Sequence, residues 1–231
     1  MNVMEIYRSV QGEGLLMGVP TTFVRFFACN LRCSWCDTKY SWSVRDGGTW
    51  ETVPVEELVE RVEALGARHV VLTGGEPALQ KDLAQLAQLL KAKGYHLTIE
   101  TNATIFPAAA VPFIDLWSLS PKLPSANENY LRPAIIKQFL DVLRVDQQQW
   151  KFVIRDDVDI QKLCTLLSDF PLFAERSLPV LLQPEGDMAT SDYPGALEYL
   201  AEQVRKEFWD NYNVRVLPQL HVLIWGRRRW V

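Results

Sequence analysis

No stretch of this sequence is apolar for long enough to span a bilayer. Its first residues, Met1-Asn2-Val3-Met4-Glu5, lack the basic segment followed by an apolar one that marks a secretory signal. A cytoplasmic protein with no membrane partner is expected. Neither sign of charge dominates: a net charge of −4 gives no electrostatic case for a nucleic-acid partner. The one local basic run, Arg227-Arg228-Arg229, reads as a solvated tail. Linkers rich in proline, serine or glycine are missing too, so a single domain over residues 1–231 is expected. Cysteine and histidine are scarce, four and three in the chain. A chain of 231 residues can bury a core without disulfide staples.

What cysteine there is lies unevenly. Cys29, Cys33 and Cys36 crowd together, while Cys164 sits far away in an apolar helical pattern, where a buried structural thiol is expected. In a reducing compartment, crowded cysteines point to metal or catalysis. The spacing C-x3-C-x2-C can wrap three thiolates around one compact centre. Iron–sulfur clusters typically take four Cys thiolates; with three supplied, one iron stays open to a further ligand. Zinc is the alternative. Closed zinc sites take four ligands, usually as two pairs, and the other candidates, His69, His96, His221 and Cys164, are distant in sequence. A redox dithiol would use Cys33 and Cys36 alone and leave Cys29 without a role.

Strand-like and helix-like patterns alternate along the chain. Residues 21–27 read as a strand running into the cysteine segment. A helix over 55–65 follows from the apolar stripe Val55, Leu58, Val59 and Val62, with Gly66 as its stop. A second, over 79–93, carries Leu83, Leu86 and Leu90 and stops at Gly94. Strands at 69–73, 96–101, 114–119, 150–155, 179–183 and 214–217, with helices at 134–144, 158–168 and 193–209, complete the series. Parallel strands need crossover connections, so the alternation implies an α/β fold with a mostly parallel sheet. Either an open doubly wound sheet or a partial β/α barrel fits, and both bind ligands at the carboxyl ends of their strands. Polar or glycine-rich segments fall there: the cysteine segment, Gly74-Gly75-Glu76-Pro77, Thr101-Asn102 and Ser120-Pro121-Lys122. Several loops are therefore expected to build one site.

The cysteine spacing after the first strand, with Gly74-Gly75-Glu76-Pro77 one β/α unit later, resembles the radical S-adenosylmethionine (SAM) superfamily. That resemblance implies a partial TIM-type β/α barrel, the radical SAM core. It places Cys29, Cys33 and Cys36 on a [4Fe–4S] cluster whose open iron is chelated by SAM, which reduction cleaves to methionine and a deoxyadenosyl radical. Trp35, Cys36 and Asp37 would lie near SAM, with Trp35 against the adenine; an ordinary buried tryptophan explains Trp35 equally. Gly74, Gly75 and Glu76 would receive the methionyl ammonium, for which a carboxylate and exposed carbonyls are suited. Ser120, Pro121, Lys122, Gln183 and Pro184 would line the rest of the SAM site.

A narrower likeness spans nearly the whole chain. Glu5-Ile6-Tyr7-Arg8-Ser9-Val10-Gln11-Gly12-Glu13-Gly14, Trp35-Cys36-Asp37-Thr38, Trp117-Ser118-Leu119-Ser120-Pro121-Lys122, Leu182-Gln183-Pro184 and Leu217-Pro218-Gln219-Leu220-His221 are similar to blocks of the 7-carboxy-7-deazaguanine synthase family. The likeness implies conversion of a carboxylated tetrahydropterin to 7-carboxy-7-deazaguanine, a ring contraction with loss of ammonia on the route to queuosine. It implies magnesium (Mg2+) at Thr38 and substrate contacts from Val10, Gln11, Gly12, Glu13, Thr73, His221 and the terminal carboxylate of Val231. Arg25 would grip the substrate carboxylate with its planar fork. The bland alternatives are a structural ion pair for Arg25, helix capping for Thr38 and a satisfied core histidine for His221. Implied partners are an electron donor such as flavodoxin or ferredoxin and a second copy in a homodimer. Competing readings are a glycyl-radical activase, which is also a radical SAM enzyme, and a zinc-binding module without catalysis.

Overall fold

The computed structural model describes every residue except 128, 129, 187, 227 and 229–231, and describes 188–191 by their backbone alone. Its elements are β1 (Asn2–Val10), β2 (Pro20–Phe26), β3 (Glu51–Thr52), α1 (Val55–Leu65), β4 (His69–Gly74), α2 (Leu83–Ala92), β5 (His96–Thr101), β6 (Leu116–Leu119), α3 (Pro133–Val142), β7 (Gln148–Ile154), α4 (Asp157–Asp169), α5 (Leu172–Glu175), β8 (Val180–Pro184), α6 (Met188–Val204), β9 (Val214–Val216) and α7 (Leu220–Trp225). They build one sheet in the order β3-β1-β2-β4-β5-β6-β7-β8-β9.

From β2 to β9 every pairing is parallel and the strands follow one another in space as they do in sequence. A doubly wound sheet contains a point where the strand order reverses. This sheet has none, so right-handed crossovers keep the helices on one face. The terminal strands β3 and β9 are not paired with each other. The architecture is an incomplete β/α barrel, which decides between the two folds that the alternation alone allowed.

The residue pattern within each strand explains the layers. Val24 and Phe26, Val70 and Leu72, Leu97 and Ile99, Trp117 and Leu119, Trp150 and Phe152, and Val180 and Leu182 are all buried in one apolar core with the helices. Neighbouring positions on the same strands, Arg25, Thr73, Glu100, Ser118, Lys151 and Gln183, face a single cavity instead. A period of two thus sends apolar side chains outward to the helices and polar ones inward.

Most expected elements are present with shifted ends. The regular part of α2 begins at Leu83, because Pro77–Leu79 form a separate 3₁₀ turn. The long helix expected over 193–209 ends at Val204, and Glu207–Asn211 form a 3₁₀ turn. Asp192 breaks helical geometry within α6, and its Oδ1 accepts from the Gly195 amide at 3.0 Å, a cap for the part that follows. One strand was not foreseen. The expected series begins with the strand over 21–27, yet Asn2–Val10 forms β1, antiparallel to β2. Its polar residues Asn2, Glu5, Arg8 and Ser9 give no apolar stripe to announce it. Cys164 lies on α4, packed against the core and away from the cavity, but only half-buried where a buried thiol was expected.

Candidate active site

The cavity measures about 610 Å³ and lies over the inner face and the carboxyl ends of the parallel strands. The loop after β2 brings in Cys29, Cys33, Trp35, Cys36, Asp37 and Thr38. All three cysteines are free, half-buried thiols. Neighbouring loops pin this segment: Asn30 Nδ2 donates to Thr104 Oγ1 at 2.8 Å, the Ser34 amide to the Ala126 carbonyl at 3.0 Å, and Trp35 Nε1 to Ser125 Oγ at 3.0 Å.

Donors aim at the sulfurs. The Leu31 amide lies 3.4 Å and Asn102 Nδ2 3.8 Å from Cys29 Sγ, and Trp42 Nε1 donates to Cys36 Sγ at 3.3 Å. The Arg32 guanidinium stacks 4.5 Å over the Trp42 ring. Burial pushes the Cys29 thiol up, and burial likewise pushes Cys33 up to about 11. Both therefore favour the protonated thiol, and a role as metal ligand would require each to give up its proton. Among the described residues, no set of three or more His, Cys, Asp or Glu forms a single-ion cage. A four-iron cubane asks for a different arrangement, since each thiolate binds a different iron. Three sulfurs on one wall, with N–H donors directed at two of them, fit that group.

The Gly-Gly-Glu-Pro segment does something other than what its composition suggested. A Cβ on Gly75 would lie 2.0 Å from the Ala28 carbonyl oxygen. The Gly75 amide donates to the Phe26 carbonyl at 3.0 Å, and the Glu76 amide to Ala28 at 2.8 Å. The close approach is to the chain's own cysteine loop. Gly74 and Gly75 still reach the cavity wall. Glu76 does not. It is fully buried, and its carboxylate accepts from Thr101 Oγ1 at 2.8 Å, the Asn102 amide at 2.8 Å and the Ala78 amide at 2.9 Å. The expected contact of Glu76 with a ligand ammonium is therefore corrected: its oxygens tie β4 to β5. Pro121 is also buried and off the wall, while Ser120 and Lys122 line it. Lys122 Nζ donates to Ser120 Oγ at 2.9 Å and stands 5.6 Å from the centre of the Trp35 ring.

The opposite wall is built from Val10, Gln11, Gly12 and Glu13. Glu13 is the centre of a network. Its Oε2 pairs with Lys151, and its Oε1 accepts from Gln183 Nε2 at 2.9 Å and Gln219 Nε2 at 2.8 Å. Burial alone would raise the Glu13 pKa, but the Lys151 ammonium, His221 and the donated hydrogen bonds hold it well below the usual carboxylate range. Burial would lower Lys151; Glu13 and Glu100 outweigh it and push it up to about 12. Both groups are charged. Gln11 Nε2 and Thr73 Oγ1 both donate to Glu100, at 3.1 and 2.9 Å. Gly12 is required by its neighbour, since a Cβ there would lie 2.2 Å from His221 Nδ1.

Arg25 combines both roles weighed for it. It faces the cavity and is paired, through Nε, with Glu5 at 2.5 Å, while Nη2 lies 3.3 Å from the Tyr7 hydroxyl. Thr38 precedes a 3₁₀ turn but makes no side-chain cap, and its Oγ1 lies 3.8 Å from Cys36 Sγ. Gln183, Pro184 and His221 also reach the wall; Val231 lies outside the described residues. Sequence reasoning did not single out Lys151, Glu100, Gln219, Tyr7 or Trp42. A lysine and a glutamate inside apolar strands, in Trp150-Lys151-Phe152 and Ile99-Glu100-Thr101, were the available signals.

Comparison with known proteins agrees with this geometry. Residues 23–144 match the model of the radical SAM superfamily. A 7-carboxy-7-deazaguanine synthase from Aquifex aeolicus is 32% identical over 94% of this chain and 90% of that protein. Those from Thermoplasma acidophilum and Bacillus subtilis are 36% and 33% identical, each covering 98% or more of both chains. A crystal structure of QueE from Escherichia coli aligns with a TM-score of 0.71 at 25% identity, over 93% of this chain and 92% of that one.

Proposed function

This chain belongs to the radical SAM superfamily and, within it, to the 7-carboxy-7-deazaguanine synthases, and from that premise we propose how its cavity carries out the family's ring contraction. The substrate is a carboxylated tetrahydropterin, and the product is 7-carboxy-7-deazaguanine. Cys29, Cys33 and Cys36 would hold a [4Fe–4S] cluster, and the cavity beside them would take SAM. When bound, cluster and SAM supply the hydrogen-atom abstraction that starts the reaction.

The chain's own residues do the rest. Gly74, Gly75, Ser120, Lys122, Gln183 and Pro184 line the SAM side, where Trp35 offers a flat apolar face to the adenine. Arg25, fixed by Glu5 and Tyr7, presents a cation to the substrate carboxylate. Gln11, the Gly12 backbone, Glu13, Thr73 and His221 face the pterin edge, and Val10 packs beside them. Thr38, whose hydroxyl is not spent on a cap, would be the residue that holds magnesium, a hard cation suited to oxygen ligands. Small acidic electron carriers such as flavodoxin or ferredoxin would supply the electron, and the working unit is a homodimer. No helix among the described residues is long and apolar enough to cross a membrane.

One observation carries this reading: three free cysteines, with N–H groups aimed at two of the sulfurs, share a wall with a polar pocket that can hold both SAM and a small heterocycle. The test is anaerobic reconstitution with iron and sulfide, followed by SAM, a reductant, magnesium and the carboxylated tetrahydropterin. A brown protein that forms 7-carboxy-7-deazaguanine supports it. Alanine at Cys29, Cys33 or Cys36 should remove both colour and SAM cleavage, whereas Cys164→Ala keeps them. An iron-loaded, active Cys33→Ala protein would sink the proposal.

A further inference from the structure

The chain between β1 and β2 is pinched at its base, where the Gln11 amide donates to the Val19 carbonyl at 2.8 Å and the Gly18 amide to the Gln11 carbonyl at 2.7 Å. Beyond the pinch the segment reaches across the inside of the barrel to β7, which β4, β5 and β6 separate from β2. Gln11, Gly12 and Glu13 ride on this strap and form one wall of the cavity.

Gln149, on β7, anchors the far side of the strap. It stands two residues before Lys151, so both point to the inner face, with Gln149 nearer the amino end of the strand. It is buried and does not line the cavity. Its Oε1 accepts from the Leu15 amide at 2.8 Å. A backbone N–H can only donate, so that bond sets which way the side-chain amide faces. Nε2 then donates at 2.9 Å to Ser118 Oγ, on the residue that pairs with Gln149 in β6. Gly14 is seated on the same amide: its φ is +73°, and a Cβ there would lie 2.3 Å from Gln149 Nε2. Filling this space would take any side chain of similar size. The amide does more, because it fixes one backbone group of the strap at one height above β7.

We propose that Gln149 is a positioning residue for substrate recognition. By holding the Leu15 amide and supporting Gly14, it sets the place of Gln11, Gly12 and Glu13 without touching the substrate. The proposal rests on the pterin reading above and deepens it. These three residues face the pterin edge in that reading, away from the SAM side, so a displaced strap costs substrate binding and leaves SAM binding alone. A small misplacement of a positioning group is enough to lower an enzyme's performance many-fold.

The test compares wild type, Gln149→Met and Gln149→Glu, each reconstituted with iron and sulfide, by hydrogen exchange and by steady-state kinetics. Methionine keeps the length and removes the acceptor. Glutamate keeps an acceptor for Leu15 and can accept from the Ser118 hydroxyl. Gln149→Met should speed amide exchange in a peptide covering 11–19 and raise the KM for the carboxylated tetrahydropterin roughly tenfold. Its kcat per cluster and its SAM affinity should stay within about threefold of wild type, and Gln149→Glu should recover most of the loss in KM. If Gln149→Met fails to fold, Gln149→Asn, one methylene too short to reach Leu15, carries the same comparison. Unchanged exchange or unchanged KM in a folded, iron-loaded variant overturns the proposal. So does a fall in SAM affinity and kcat in step with KM, the result of a merely structural role. A wild type that does not turn over the pterin overturns the substrate reading and the positioning role with it, an outcome distinguished by the exchange comparison, which needs no substrate.

Discussion

The ammonium of Lys151, on β7, pairs inside the cavity with the carboxylate of Glu13, on the segment between β1 and β2. Both side chains are largely buried, at 12% and 15% exposure, so neither charge has water to replace a lost partner. Lys151→Met should therefore lower the unfolding free energy in urea by about 3 kcal/mol or more. The double variant Lys151→Met/Glu13→Gln, which removes both charges, should recover most of that loss. A single variant as stable as the wild type would mean that the pair does not form in solution.

Trp42 offers a handle on the cluster that leaves its ligands untouched. An N–H directed at a ligating sulfur stabilises added electron density, so removing it makes reduction harder. Trp42→Phe should retain iron and shift the midpoint potential, followed by EPR-monitored titration, in the negative direction. Arg32→Met, which removes the cation over the indole, should shift it the same way by less. Unchanged potentials in both iron-loaded variants would leave the Trp42–Cys36 contact without an electronic role.

Space between Gly12 and His221 is tight enough to test by paired substitution. A methyl at Gly12 would lie 2.2 Å from His221 Nδ1, so Gly12→Ala should displace the ring and raise the KM for the pterin at least tenfold. SAM affinity should hardly change. Gly12→Ala/His221→Ala restores the room, and its KM should match that of His221→Ala alone. Additive losses would point to a backbone cause.

His69 gives the fold a pH dependence separate from catalysis. Its ring lies between Thr21 Oγ1 and Thr98 Oγ1, each at 2.8 Å, and burial, with help from His96, lowers its pKa to about 4. The folded state thus prefers the neutral ring, and the unfolded chain binds the proton first. Stability is complete above about 6.5, and falls as the pH drops from there toward 4. The loss over that window is on the order of 3 kcal/mol. His69→Gln should flatten this part of the profile in denaturation series at pH 7, 6, 5 and 4; an unaltered slope would assign it to other groups.

The loops that carry chemistry were legible because short-range rules mark them. Closely spaced cysteines, a glycine pair and the stops at Gly66 and Gly94 need no knowledge of distant contacts. The alternation of strands and helices could not choose between barrel and doubly wound sheet, since strand order is set by packing rather than by any one strand's composition; the barrel was expected only from the resemblance carried by the cysteine spacing and Gly74-Gly75-Glu76-Pro77. Glu76 shows how composition misleads: a carboxylate in a ligand-binding loop suggested a ligand contact, yet the nearer donors Ala78, Thr101 and Asn102 take it. The Glu13 network escaped for a related reason. Its partners stand 138, 170 and 206 residues further along the chain, and no local pattern reports separations of that size.

The alternation within β7 ties chemistry to architecture. Lys151 faces the cavity from between Trp150 and Phe152, which belong to the core. Inserting or deleting one residue in this strand would exchange their directions, driving an ammonium among aromatic rings and two bulky rings into the reaction space. A change of length is therefore far cheaper in the loops than in this strand, whereas an inward-facing residue can be exchanged without turning its neighbours.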